Sequence, residues 1–599
     1  MQPLLQLVLL TLAAAGPVAE TLTAVLCSTL QPPFCNCTGG AGNARNCSCS
    51  SCGACDGCST CQICDGPPVP TPPTPPPPAP TKNGMAMTPP LTWRSWNQMG
   101  WYITDAVLLQ ATRGLVDGSR PIKGMPAGSS LKDLGFGEVG MDEGWAACPP
   151  CTGGPGAPHA DANHGRNSTV DPRAAMRRQQ VAAQGFPLGG GRFSQYHRLD
   201  NATGLISPVV DEFAFPDMKR LVDQIHAMGL RAGWYLNDCL SYCAQIRDPC
   251  PAAQCVPGDV AAFAAYGFDS LKIDGCSAQK GVDRWAALIN DTAAGPRVRI
   301  ENCNNSPRPE AGPAPLAERC PWYHTYRTGR DINNAYSSWI FNAQEFGSYA
   351  ATGRSGPGCV RACVVSAAAA GRPSHPPARS PPSLPPSLSP PPQWGYPDML
   401  MVGVQGQTPD ESVTGKYGPW AGGFVQPSVR EQRTHFGLWC ALSAPLTLSM
   451  DFGNTSAVDA VWHIVTNTHA LAVNQAWGGE HGGEFARAAV NVSLRADCVP
   501  NTACDDFGKG AKVNIVVPSW QAWYKPLSAN GTAAAIFVAN HADTPQDISL
   551  LFADVPGLAG GPFTVIDVWA QAQMAGTHTS FEAKALGRRD SAFITVAPA

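Results

Sequence analysis

Between residues 83 and 480 the chain repeats one pattern: an amphipathic helical stretch, a glycine, a short apolar run, then a polar residue. From Met218 to Met228 the apolar positions Leu221, Val222, Ile225 and Met228 recur at helical spacing, Gly229 follows, and Leu230 to Tyr235 reads as a strand. Val260 to Tyr266 reads as a second helix, followed by Gly267 and the strand Ser270 to Asp274. This repetition predicts a parallel sheet closed as a (β/α)8 TIM barrel. From about residue 481 the period shortens to alternating strands: Val513 to Val517, Ala534 to Val538, Ile548 to Phe552 and Phe563 to Val568. That predicts an antiparallel β-sandwich over 481–599, in which Cys498 and Cys504 would staple a hairpin.

The flanks break the pattern. Leu4 to Ala15 is a short apolar run ending in small residues, which reads as a secretory signal peptide over 1–19, cleaved between Ala15 and Glu20. No later stretch is long and apolar enough for a membrane helix. Residues 27–64 hold ten of the 24 cysteines, every third position from Cys49 to Cys64. Such spacing could ligate zinc, but export and the lack of histidine there favour disulfides. Residues 65–82 form a proline-rich linker, stiff and extended. Together the two segments resemble the cysteine- and proline-rich modules of green-algal extracellular-matrix proteins, and imply attachment to a cell wall or matrix. A second proline-rich stretch, 352–392, interrupts the barrel pattern and reads as a retained intron or a surface insertion without chemistry. Sequons at Asn36, Asn46, Asn167, Asn201, Asn290, Asn454, Asn491 and Asn530 fit a secreted glycoprotein, with vacuolar or lysosomal delivery as the alternative. Lys plus Arg (41) nearly balances Asp plus Glu (45), which argues against a nucleic-acid binder.

In a βα barrel, chemistry gathers at the C-terminal ends of the strands. Asp274 ends one predicted strand, with Lys272 two residues earlier on the same face, where a cation keeps a carboxylate ionised. An Asp in that place could equally cap the next helix. Asp142 and Glu143 follow the strand-like run Phe136 to Met141, with Trp145 close behind, and suit either sugar hydroxyls, a metal or a solvated turn. Arg327 and Asp331 form a third unit, readable also as a surface ion pair. Asp398 in Trp394 to Met399 forms a fourth.

Their order and wording resemble the α-galactosidases of glycoside hydrolase family 27. Asn83 to Asn97 is similar to the family's opening "NGLARTPPMGWNSWN", and Asp142-Glu143-Gly144-Trp145 to its "DDCW". Leu271 to Cys276 resembles "LKYDNC", Arg327 to Ile332 resembles "WRTTGDI", Trp394 to Leu400 resembles "WNDPDML", and Ala472 to Gln475 resembles "AVNQ". The resemblance implies a retaining mechanism with Asp274 as nucleophile and Asp331 as acid/base. It further implies that Trp96 stacks on the sugar, that Asp142, Glu143 and Tyr235 line the pocket, and that Lys272 and Arg327 bind ring hydroxyls. A disulfide between Cys243 and Cys276, and no metal or cofactor, complete what it implies.

Three departures bear on the substrate. Glu143 stands at the family's second pocket aspartate, and the extra methylene crowds the C6 hydroxymethyl of galactose, a change worth about 1–3 kcal/mol in a tight pocket. L-Arabinopyranose lacks that group, so a β-L-arabinopyranosidase is the alternative activity. Asn304, in Glu301 to Asn305, lies near the register of the glutamate that contacts the 2-hydroxyl. Gly144 replaces the cysteine of "DDCW", and its usual partner is absent as well. The expected function is an exo-glycosidase on galactose- or arabinopyranose-terminated glycans; the alternative of another class is an inactive carbohydrate-binding or matrix protein.

Overall fold

The structure is a computed structural model that describes residues 36–37, 47–48, 85–100, 103–146, 197–212, 214–237, 252–274, 282–293, 295–303, 323–329, 331–332, 334–351, 394–405, 426–494 and 515–599. The signal segment, both proline-rich stretches, Cys243, Cys276, Asn304, Cys498 and Cys504 lie outside the described residues. The chain divides into two compact units, Met1–Pro78 and Ala79–Ala599. In the first, Asn36–Cys37 and Cys47–Ser48 pair antiparallel. The second carries everything that follows.

Eight parallel strands form one curled sheet in that unit: β1 (Leu91–Arg94), β2 (Glu138–Gly140), β3 (Arg231–Asn237), β4 (Ser270–Asp274), β5 (Arg299–Asn302), β6 (Thr325–Arg327), β7 (Trp394–Tyr396) and β8 (Leu446–Leu448). Neighbours in the sheet follow chain order, with β8 beside β1. The Leu400 amide, just past β7, donates to the Thr447 carbonyl of β8 at 2.9 Å and joins the two ends of the sheet. The fold is a TIM barrel followed by a C-terminal β-sandwich.

Strand alternation sorts the residues into two layers. Trp93, Val139, Trp234, Leu271, Ile273 and Ile300 face outward into the apolar core under the helices. Arg94, Glu138, Tyr235, Lys272, Arg299, Glu301, Arg327 and Tyr396 alternate with them and are all buried. The outer layer includes α1 (Asp105–Val116), α2 (Met218–Ala227), α3 (Ala252–Tyr266), α4 (Val282–Asn290), α5 (Tyr336–Ala351), α6 (Val429–Ala441), α7 (Thr455–Val465) and α8 (Thr468–Gln475). Short polar caps start several of them: Thr104 accepts from the Val107 amide, Asp217 from Arg220, and Ser428 with Glu431 closes a capping box on α6.

The C-terminal domain is built on the antiparallel strands β9 (Gly483–Arg487), β10 (Trp520–Pro526), β11 (Ala534–Asn540), β12 (Phe563–Asp567) and β13 (Ser591–Pro598), in the order β9-β10-β11-β13-β12. A separate antiparallel pair, Gln546–Leu551 with Ser580–Leu586, adds Ile548, Leu550 and Ala583 to the sandwich core. Helix α6 packs against this domain so closely that a Cβ on Gly437 would lie 2.5 Å from Phe537 and 2.6 Å from Trp569. The Tyr336 hydroxyl pairs with His541 Nδ1 at 2.8 Å, and Lys525 donates to the carbonyl of Asn474 at the end of α8 at 2.9 Å.

Candidate active site

Alternation and strand ends put the polar side chains in one place. Asp274 is the last residue of β4, Arg327 the last of β6 and Tyr396 the last of β7, while Asp142 follows β2 by two residues. Tyr235, Lys272 and Glu301 are lateral partners across β3, β4 and β5, so they share one level of the barrel. Trp96 opens the short helix Trp96–Met99 directly after β1 and is half-buried.

Two charged groups result. On one side Lys272 Nζ donates to Asp142 Oδ2 at 2.6 Å and lies 5.5 Å from the centre of the Tyr235 ring. The Tyr235 hydroxyl donates to Asp274 Oδ2 at 2.8 Å. Burial works against the Lys272 charge, but Asp142, Asp274 and Glu301 outweigh it and raise its pKa above the ordinary range. Burial, with the charges of Asp274, Glu143 and Asp142, likewise pushes the Tyr235 hydroxyl well up, so it stays a donor. Half-buried Glu143 donates its amide to Asp142 Oδ1 at 3.0 Å.

On the other side Arg327 bonds Asp331 and lies 3.9 Å from Asp398 Oδ2. Asp331 is the exposed member, with 41% of its side chain accessible, against 8% for Asp398. Asp398 takes the Ile332 amide at 2.7 Å on Oδ2 and the Met399 amide at 2.7 Å on Oδ1, with a left-handed backbone at φ 94°. Burial raises its pKa to about 6; the like charge of Asp331 adds to this, against Arg327 and Lys272. Arg327 feels Asp331, Asp398 and Asp274 together, and its pKa stands well above the ordinary value despite burial. The motifs around 142, 274, 331 and 398 therefore converge on one mouth.

Sequence reasoning did not find the layer beneath. Arg94, Glu138, Arg299 and Glu301 form a buried ionic lattice inside the barrel: Arg94 bonds Glu301 at 3.1 Å and lies 3.9 Å from Glu138, while Arg299 bonds Glu138 and lies 3.6 Å from Glu301. Burial disfavours the Glu138 charge, but Arg299, Arg231 and Arg94 hold its carboxyl down to about 2. The available signal was the charges alternating within otherwise apolar strands, as in Arg299-Ile300-Glu301. Among the described residues no His, Cys, Asp and Glu group is arranged to hold a metal ion.

Residues 518–596 match the family described as the alpha galactosidase C-terminal beta sandwich domain. Alpha-galactosidase 3 of Arabidopsis thaliana is 23% identical over 84% of this chain and 80% of its own length. The chain is thus similar to α-galactosidases over most of its length, and residues 518–596 match their C-terminal domain. Among solved structures, the α-galactosidase of Saccharomyces cerevisiae with raffinose shares the fold of this chain at a TM-score of 0.53, with 15% identity over 87% of this chain and all of that one. The family 27 β-L-arabinopyranosidase of Geobacillus stearothermophilus, in complex with arabinose, superposes at a TM-score of 0.52 with 16% identity, covering 86% and 98% of the two chains.

Proposed function

We propose that this chain is a retaining exo-glycosidase that hydrolyses terminal α-D-galactosyl residues by double displacement. What carries the reading is the pair of carboxylates in unlike settings at one barrel mouth: Asp274 bonded to the Tyr235 hydroxyl, and exposed Asp331 bonded to Arg327. Asp274 attacks the anomeric carbon as the glycosidic C–O bond breaks, and Asp331 gives its proton to the leaving oxygen. Asp331 then takes a proton from water, which displaces Asp274 and releases the sugar. Lys272, held by Asp142, and Arg327 present donors to the ring hydroxyls, and Trp96 offers an aromatic face. The α-galactosidases among the relatives support the substrate class.

A second reading, hydrolysis of β-L-arabinopyranosides, rests on Glu143 beside Asp142 and on the arabinopyranosidase of the same fold. The cysteine- and proline-rich N-terminal region and the sequons fit an exported protein tethered to a wall or matrix. The test is release of p-nitrophenol from the α-D-galactopyranoside and the β-L-arabinopyranoside, with Asp274→Asn as control. Faster galactoside turnover, abolished in the variant, is the expected result. Faster arabinoside turnover would favour the second reading, and no turnover of either would leave an inactive carbohydrate-binding protein.

A further inference from the structure

The Met141–Asp142 peptide unit is gripped on both of its polar atoms by two consecutive residues of another segment. Arg94 Nη1 donates to the Met141 carbonyl at 3.1 Å, and the Asp142 amide donates to Ser95 Oγ at 2.9 Å. The plane of that peptide sets the direction in which the Asp142 side chain leaves the backbone, and Asp142 in turn holds Lys272.

Arg94 is itself held from across the barrel. Its Nη2 donates to Glu301 Oε2 at 3.1 Å, and Glu301 Oε1 accepts from the Tyr396 hydroxyl at 2.6 Å. Arg94, Glu301 and Tyr396 are 1%, 5% and 2% exposed, so the chain from β1 through β5 to β7 runs in the interior. Room for it is made by Gly140, the lateral partner of Arg94, where a Cβ would lie 3.0 Å from Arg94 Nη1. In the family strings quoted above, the place of Arg94 is Asn and that of Tyr396 is Asp. An Asn side chain is too short to span from β1 to a carboxylate on β5, so the strut belongs to this chain's own residues.

We propose that Arg94 is a positioning residue for sugar binding, which fixes the Asp142–Lys272 pair through a cross-barrel strut of Arg94, Glu301 and Tyr396. The inference rests on the glycosidase reading above. Arg94 touches no substrate; it acts through the 141–142 peptide. Because Asp142 and Lys272 would contact ring hydroxyls in ground and transition states alike, loosening them weakens binding more than turnover.

The test uses the full chain and the variants Arg94→Gln, Tyr396→Phe, Arg94→Gln/Glu301→Gln, Asp142→Asn and Asp142→Asn/Arg94→Gln, with p-nitrophenyl α-D-galactopyranoside as substrate. Arg94→Gln is expected to raise KM about tenfold or more while kcat changes less than about threefold. Tyr396→Phe, which removes only a hydroxyl, is expected to raise KM by about threefold and keeps the test open should Arg94→Gln fail to fold. In the double variant the loss of both charges recovers thermal stability but not KM. In an Asp142→Asn background, Arg94→Gln is expected to add less than about twofold. An unchanged KM with a lowered melting temperature would make the strut a structural ion pair and overturn the proposal. Absence of wild-type turnover would strike the glycosidase reading instead. Crystal structures of the wild type and Arg94→Gln then decide the strut, since an Asp142–Lys272 pair unmoved by the substitution overturns it and a displaced pair upholds it.

Discussion

Asp274 and Asp331 close two motifs that look alike on paper, yet their surroundings differ. Asp274 accepts from a buried tyrosine; Asp331 faces solvent on an arginine that lies close to a second carboxylate, Asp398. Removing the Tyr235 hydroxyl withdraws a hydrogen bond to a charged group, worth about 1.5–3 kcal/mol, so Tyr235→Phe is expected to lower kcat/KM on the aryl galactoside by about 10- to 100-fold. For Asp331→Ala, azide should restore turnover of an activated aryl galactoside and give the α-azide, the retained product; the β-azide would refute a double displacement. Asp398, with its pKa raised to about 6, ionises within the working range and adds negative charge beside Asp331. Asp398→Asn removes a group that ionises near pH 6 beside the Arg327–Asp331 pair, so the kcat/KM profile is expected to change around that pH. A profile that stays in place would separate Asp398 from the acid/base step. At this scale the sequence made Asp142 and Asp274 visible because they follow or end a patterned strand, Lys272 because it lies two residues before Asp274 on the same face, and Arg327 and Asp331 through the motif they share. Arg94, Glu301 and Tyr396 stayed hidden, since a strand pattern does not tell which distant strand supplies the counter-charge.

Among elements, the helix read from Met218 to Met228 forms as Met218–Ala227, and the strand read at Phe563 to Val568 forms as Phe563–Asp567. The helix read from Val260 begins earlier, at Ala252, and runs through Pro257. A proline inside a helix argues for a break, and tertiary packing overrides it: Gly258 sits so close to the hairpin strand Ile206–Pro208 that a Cβ would lie 2.0 Å from the Ile206 carbonyl oxygen. His197 on the same hairpin bonds Asp259 at 2.7 Å. Helix α6 depends on a similar close approach to the sandwich. Gly437→Ala would press a methyl on Phe537 and Trp569, and is expected to cost about 1–3 kcal/mol, read as a lower denaturant midpoint at unchanged m.

For the molecule as a whole, the junction between barrel and sandwich carries buried bases. Burial lowers His435 and His541 to about 3, and Lys525 to about 7. The histidines are therefore neutral in the folded chain down to about pH 3, whereas an unfolded histidine takes its proton near pH 6.5. Between those values the unfolded state binds more protons, so this stability is complete above about pH 6.5 and is lost as pH falls toward 3. Glu138 acts in the same direction, because its contribution is present above its unfolded value and lost toward pH 2. His435 stacks on Trp339 at 4.6 Å, and among the described residues its Nε2 has no hydrogen-bond partner. His435→Phe should keep the stack and remove one proton from the slope, about 1.4 kcal/mol per pH unit between pH 6.5 and 3, measurable by denaturant unfolding across that range. An unaltered slope would mean that His435 is not buried in its neutral form.

The periodicity of apolar positions determined the barrel and the sandwich, because burying apolar surface on one side of an element is a local demand written in neighbouring residues. The motifs determined which side chains stand at the strand ends. The tertiary structure alone decided who pairs with whom: Lys272 with Asp142, Arg94 with Glu301, Arg327 between Asp331 and Asp398. Some of these partners lie more than a hundred residues apart, and closing the sheet is what brings them within bonding distance. Only in that closed, poorly solvated interior does a charge depend so strongly on its neighbour.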